Sequence, residues 1–412
     1  MKTKILILFL VLSKTLFAQN AQTVNEGLLH VSPSTLVSIE WNFDNKNTGD
    51  YENNGEVIFK GNFNNSGIVT FDSSFQGFTR FEGFQNQFIT GEEPSDFFNV
   101  LFNNVNTQPA FRLYNKIYIS GDADFNKGIV QSDDFGGSIT FEKNATHTHT
   151  SNTSHVDGEV TKNGDEGFLF PIGDKGFFRY AAISASGDNN SSFNAHYLLE
   201  NSDALYPHNK KEGNNIEIID NAEYWTVNKN TSVSDIILTL SWEETTTPAE
   251  IIASPQDVIH IVRWDDSKQL WVDEGGIVNT GEKTVTTIAS VTGYGVFTLA
   301  RVKSNVEDDV EIFDAISPND DAKNDYFYIK NITKYPDNRV QIFNRWGIKV
   351  FDTTNYDANG NVFRGFSDGR ATISPDNLLP NGTYFYIVQY AKTTGGISNT
   401  VKKAGYLYLS RN

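Results

Sequence analysis

Asn54-Gly55-Glu56-Val57-Ile58-Phe59 is followed about a dozen residues later by Ser66-Gly67-Ile68-Val69-Thr70-Phe71. Each is a small-residue turn running into a short β-branched and aromatic strand. Gly128-Ile129-Val130 and Gly137-Ser138-Ile139-Thr140-Phe141 are looser variants. Stacked units of this kind predict a parallel β-solenoid over residues 19–165. Phe, Ile and Val would pack inward between rungs, and Asn and Gly would take the corners that need tight or left-handed backbone. No strict period holds across the segment, so a Greek-key sandwich is the alternative. Either way, an uncovered end rung would present a sheet edge to other molecules.

Beyond residue 165 the strands lengthen and alternate, as in Ile236-Ile237-Leu238-Thr239-Leu240-Ser241-Trp242 and Val258-Ile259-His260-Ile261-Val262-Arg263-Trp264. Residues 166–302 therefore read as an immunoglobulin-like β-sandwich. A polar linker is expected over 303–311 and a final β-sandwich over 312–412, making the chain all-β. With 31 Phe and 13% aromatic residues it has ample core material, which excludes global disorder. The formal charge of −18 argues against a nucleic-acid partner. The absence of cysteine excludes disulfides, thiolate metal sites, a cysteine nucleophile and a lipidated anchor. At the start, Lys2 and Lys4 precede the short apolar run Ile5–Leu12, and Ala18 stands before Gln19. Residues 1–18 read as a cleaved secretory leader. No later stretch is apolar enough to span a bilayer, so no transmembrane segment is expected in the mature chain.

Three spaced signatures mark the last hundred or so residues. They are Pro318-Asn319-Asp320-Asp321-Ala322-Lys323-Asn324-Asp325, then Asn344-Arg345-Trp346-Gly347, then Leu379-Pro380-Asn381-Gly382-Thr383-Tyr384-Phe385-Tyr386. In this order and spacing the segment resembles the gliding motility-associated C-terminal domain, the type B sorting domain of the type IX secretion system. The pattern usually has Gly where this chain has Asp320 and Ala322. Upstream, Ser154-His155-Val156-Asp157-Gly158-Glu159-Val160-Thr161-Lys162 followed by Phe168-Leu169-Phe170-Pro171-Ile172-Gly173-Asp174 resembles a segment of large Bacteroidetes surface proteins that carry the same domain. The resemblance implies leader-directed passage across the inner membrane, recognition by the type IX machinery in the outer membrane, and residence outside the cell or on its surface. The matching motif positions are Pro318, Asn319, Asp321, Asn324, Asp325, Asn344, Arg345, Trp346, Gly347, Pro380, Gly382, Thr383, Tyr384 and Tyr386.

Residue by residue, the Pro318–Asp325 loop is expected to be an Asx-turn network. Its oxygen atoms also suit a hard cation, but Lys323 occupies a ligand position. Trp346 is expected in the core, with Arg345 stacked on an aromatic ring or paired with a carboxylate. His147 and His149 would share a strand face and could ligate a metal with His155 or Asp157, although exposed histidines are the expectation. Asp122 and Asp124, and Asp133 and Asp134, could serve polysaccharide chemistry with calcium and a base such as Arg112, Lys116 or Lys127. Trp225, Trp242, Trp264 and Trp271 are expected in the core, but if exposed they could stack on sugars. No catalytic motif stands out, and no metal or cofactor is expected. The expected function is a non-enzymatic exported adhesin or surface-structural protein, with glycans or other surface proteins as partners. A calcium-assisted polysaccharide-acting enzyme or a carbohydrate-binding protein is the alternative.

Overall fold

A computed structural model describes residues 21–253, 258–303, 310–319, 321, 323–358, 360–367, 379–394 and 397–410. The expected leader lies outside these residues, as do positions 304–309 of the linker, Asp320 and Ala322.

The chain opens as a three-faced parallel β-solenoid of about six turns. Its first face stacks Gln22–Asn25, Asn42–Asn45, Phe63–Asn65, Gln87–Gly91, Phe111–Leu113, Val130–Gln131, Val156–Asp157 and Ile172–Asp174. The second face begins with Leu28–Val31, Asp50–Asn53 and Ile68–Thr70 and continues with Ser95–Phe97, Lys116–Ile119, Ser138–Phe141 and Val160–Asn163. The third runs from Leu36–Ile39 through Glu56–Phe59, Phe78–Phe81, Asn99–Asn103 and Asp122–Lys127 to Thr146–Thr148.

Stacked like residues hold the rungs together. Phe59, Phe81, Phe102 and Phe125 form a ring ladder with successive centroids 5.7, 5.8 and 5.3 Å apart. His147 continues the ladder, packing edge-on to Phe125 and Phe168. At the corner between the first two faces, Asn25 Nδ2 donates to Asn45 Oδ1 and Asn45 Nδ2 to Asn65 Oδ1, each at 2.8 Å. Asn25 and Asn65 also accept from the backbone N–H of Gly27 and Gly67, and Asn53 does the same for Gly55. The recurring unit is therefore an Asn-x-Gly corner, in which the amide bonds its own turn and its neighbours above and below. Little room is left at Gly67, where a Cβ would meet the carbonyl oxygens of Lys46 and Gly49 at 2.3 Å.

The dozen-residue echo is not the rung. Glu56–Phe59 belongs to the third face and Ile68–Thr70 to the second, and the rung partner of Glu56–Phe59 is Phe78–Phe81. Unequal loops hide the true repeat: Phe43 pairs with Phe63, but Phe63 pairs with Ile89.

The solenoid does not end at residue 165. Val160–Asn163 pairs antiparallel with Ser192–Leu198, so the second face grows into an antiparallel sheet with Tyr224–Thr231, Gly295–Val302, Ile259–Asp265 and Leu270–Gly275. A second antiparallel sheet holds Phe168–Leu169, Ala181–Ile183, Leu238–Ser241, Thr284–Thr286 and Ile277–Asn279. One core runs from Val31 to Leu299 without a break. The antiparallel block therefore continues the second face past its last rung, while the first rung, Gln22–Asn25, Leu28–Val31 and Leu36–Ile39, has no outer strand neighbour among the described residues. Trp225, Trp242, Trp264 and Trp271 are all buried in the block, so they form no exposed sugar-stacking row.

The last region is a five-stranded sheet ordered Ala315–Ile316, Ile397–Leu409, Gly382–Thr394, Arg339–Phe343 and Lys349–Thr354, with its own core around Phe327, Ile342, Tyr356 and Tyr386.

Candidate functional site

The three C-terminal signatures meet at one end of this sheet. Ile316, just before Pro318, pairs with Leu409; Leu409 pairs with Gly382; and Phe343, just before Asn344, pairs with Phe385. In the first loop the Asn319 side chain donates to the Asp321 carboxylate and accepts the Asp321 N–H, Asp325 accepts the Asn319 N–H, and Asp321 accepts the Lys323 N–H. Asn324 holds a φ of 55° there. This is an Asx network, and no group of three His, Cys, Asp or Glu among the described residues could hold a metal. In the third signature, Pro380 accepts the Tyr384 hydroxyl, Gly382 and Thr383 begin the long strand, and Tyr384 and Tyr386 are buried.

The second signature departs from expectation. Trp346 is 55% exposed, not core. The strand alternation stops at Phe343, and Asn344 Oδ1 then accepts the N–H groups of both Trp346 and Ile348 at 3.0 Å. That turn points the indole outward, where the Arg345 guanidinium lies 4.1 Å from its ring centroid.

The histidines also differ from expectation. His155 is fully buried, and its ring is held neutral because burial lowers its pKa to about 4. His147 is largely enclosed, bonds the Leu169 carbonyl at 2.6 Å, and is likewise lowered by burial. Of these three, His149 alone is well exposed, and it pairs with Asp124 at 2.8 Å. The expected shared face is absent because His149 lies past the end of its strand with φ at 59°. Asp122 is bonded by the Thr146 and Thr148 hydroxyls, so Asp122 and Asp124 belong to side-chain ladders on the third face. Arg112, Lys116 and Lys127 form no ion pair with either among the described residues.

The notable surface lies on the first face, where register builds a row that sequence order conceals. Phe88 pairs with Arg112, Arg112 with Gln131, and Gln131 with Asp157. Their neighbours Ile89, Leu113, Val130 and Val156 point inward, so the four point outward. The Arg112 guanidinium lies 5.2 Å from the Phe88 ring and 5.7 Å from that of Phe135. Tyr114, 41% exposed, packs 4.7 Å from Phe135. Among the described residues Arg112 has no ion pair, and its Nε is buried without a hydrogen-bond partner.

This platform leads into a cleft of about 520 Å³ where the solenoid meets the antiparallel block. Asp133, Asp134, Asp157, Asp174, His196 and Glu200 line it. Burial, reinforced by Asp174, Asp133 and Asp134, pushes the Asp157 carboxyl up to about 7. Asp174 accepts from Lys175 Nζ and the Leu199 N–H, Gln131 donates to Asp134, and the Tyr224 hydroxyl donates to Glu200. Sequence reasoning flagged Asp133 and Asp134 but missed Asp174 and His196, and it treated Asp157 only as a metal ligand. The inward residues on either side of each outward one were the available signal.

Residues 310–409 match the family described as CHU_C Type IX secretion signal domain, overlapping the region expected from residue 312 onward. No curated protein and no solved structure matches the chain. No helix among the described residues is long and apolar enough to cross a membrane. Through residues 310–409 the chain carries a type IX secretion signal, engages that secretion machinery, and is exported to the extracellular space or the outer cell surface.

Proposed function

We propose that the exported protein is a non-enzymatic adhesin that holds an extracellular saccharide along the first face of its solenoid. The observation that carries this reading is the outward row of Phe88, Arg112 and Gln131 flanked by Tyr114 and Phe135. Aromatic rings supply apolar faces for sugar rings, while a flat guanidinium and an amide supply donors for hydroxyl or carboxylate oxygens. Strands about 4.8 Å apart repeat such contacts along the axis, which suits an extended polymer more than a compact ligand.

The test is co-sedimentation of the purified chain with a panel of insoluble plant and algal polysaccharides. Tyr114→Ala and Arg112→Ala should each weaken binding about fivefold or more, the loss expected on removing ~1 kcal/mol of stacking. Retention of full affinity by both variants would reject the platform as the binding face.

The cleft favours a second reading, a polysaccharide hydrolase. A carboxyl held near 7 beside other acids is suited to protonate a leaving oxygen. New sugar ends formed in proportion to protein, and abolished by Asp157→Asn, would establish it in place of the adhesin.

A further inference from the structure

The end of the C-terminal sheet where the three signatures converge includes the hairpin turn Asn344–Gly347. Each residue of that tip has a physical task. Asn344 closes the turn through its side-chain oxygen, as described above, and its carbonyl accepts the Gly347 N–H at 3.0 Å. Gly347 adopts a φ of 74°, a left-handed conformation that side chains resist. The back of the turn rests on the antiparallel block, where a Cβ on Gly347 would meet Ile237 and Ser184 at 3.3 Å. The front is bare: Trp346 is 55% and Ile348 48% exposed. Arg345 covers one side of the indole, and among the described residues its guanidinium has no ion pair and the indole N–H no acceptor.

A buried tryptophan would stabilise the fold. An exposed one on a closed turn offers a large apolar face with a polar N–H, which favours a role as an interface anchor. We infer that the Arg345–Trp346 tip is the contact by which the secretion machinery grips this domain, with Trp346 entering an apolar pocket rimmed by carboxylates that pair with Arg345. A protein pocket suits this feature because an indole face and a guanidinium set together offer apolar area and directional donors at one point. The inference rests on residues 310–409 acting as the export signal, and it assigns the part of that signal that is read.

The experiment follows extracellular and periplasmic amounts of the full chain in a cell with an active type IX system. Trp346→Ala should lower the extracellular amount at least about tenfold with matching periplasmic retention, as expected for loss of an interface anchor. Trp346→Phe should fall between. Trp41→Ala, which removes another exposed indole far along the chain, should export as the wild type does. Thermal unfolding of purified Trp346→Ala should match the wild type. If that variant unfolds, Arg345→Glu carries the test, because it leaves the ring in place and reverses the charge, and it should also block export. Wild-type export of both Trp346→Ala and Arg345→Glu would overturn the inference. A deletion of residues 310–409 separates the two levels: if the deletion is retained while the point variants are exported, the tip fails and the signal stands; if the deletion is exported, the signal itself fails.

Discussion

Arg112 and Arg345 both lie against aromatic rings without an ion pair among the described residues, yet their settings differ. Arg112 is set in a flat face, between rings from different rungs, and its position is fixed by a register that repeats along an axis. Arg345 stands on a single hairpin tip whose shape depends on one asparagine and one glycine. The same cation–π chemistry gives an extended surface in one region and a point of attachment in the other. Scaffold geometry, more than the residue pair, sets what kind of partner each can meet.

The buried ladder of the solenoid and the exposed surface of the sorting domain should differ most when a ring is removed. The largest difference is expected at Phe102, which has ladder rings on both sides. Phe102→Ala should cost about 3–5 kcal/mol in urea unfolding of the full chain. Phe313→Ala, at a 42% exposed position of the sorting domain, should stay within about 0.5 kcal/mol. Losses of similar size at the two positions would break the contrast.

The asparagines give a finer comparison. Asn45→Ala removes one bond to each ladder neighbour and leaves the buried Asn25 and Asn65 amides short of partners, which should cost about 2–3 kcal/mol. Asn344→Ala frees two N–H groups at an exposed turn that water can reach, and about 1 kcal/mol is expected. Denaturation midpoints for the two variants would test the ordering, and an equal or reversed order would contradict it.

A pH titration sharpens the picture at the cleft. Asp157 has a folded value near 7 against an ordinary 3.8, so the fold opposes its ionisation. Its contribution to stability is complete below the ordinary value and is lost as pH rises through about 7. Asp157→Asn should therefore flatten the stability profile across that interval, as read by melting temperature, while an unchanged slope would show that the carboxyl is not so placed. The smallest effect is expected for Arg112→Lys, which keeps the charge but loses the planar stack. Saccharide affinity should fall about twofold to fivefold, because lysine lacks the planar pair of donors that a guanidinium offers to hydroxyl or carboxylate oxygens.

Much of this architecture is legible in the sequence, for reasons that can be stated. The turn-and-strand units before residue 165 do form a solenoid, because Asn-x-Gly corners and inward Phe residues specify rungs locally. The rung length is not legible, because loops such as the one between Phe63–Asn65 and Gln87–Gly91 change it from turn to turn. The outward row and the cleft were hidden for the same reason: Phe88, Arg112, Gln131 and Asp157 become neighbours only through register. Longer alternating strands past residue 165 were legible, but their continuity with the solenoid was not, since one sheet changes from parallel to antiparallel between Val160–Asn163 and Ser192–Leu198. Trp346 was misplaced because hydrophobicity alone sends tryptophan inward, whereas a side-chain cap decides the direction of this one.

The most direct test of the account measures sugar ends released from bound polysaccharide by the wild-type chain and by Asp157→Asn, alongside the amount bound. The adhesin account predicts binding by both proteins with release at background. Release that rises with wild-type concentration and vanishes in Asp157→Asn would contradict it and make the cleft an active site.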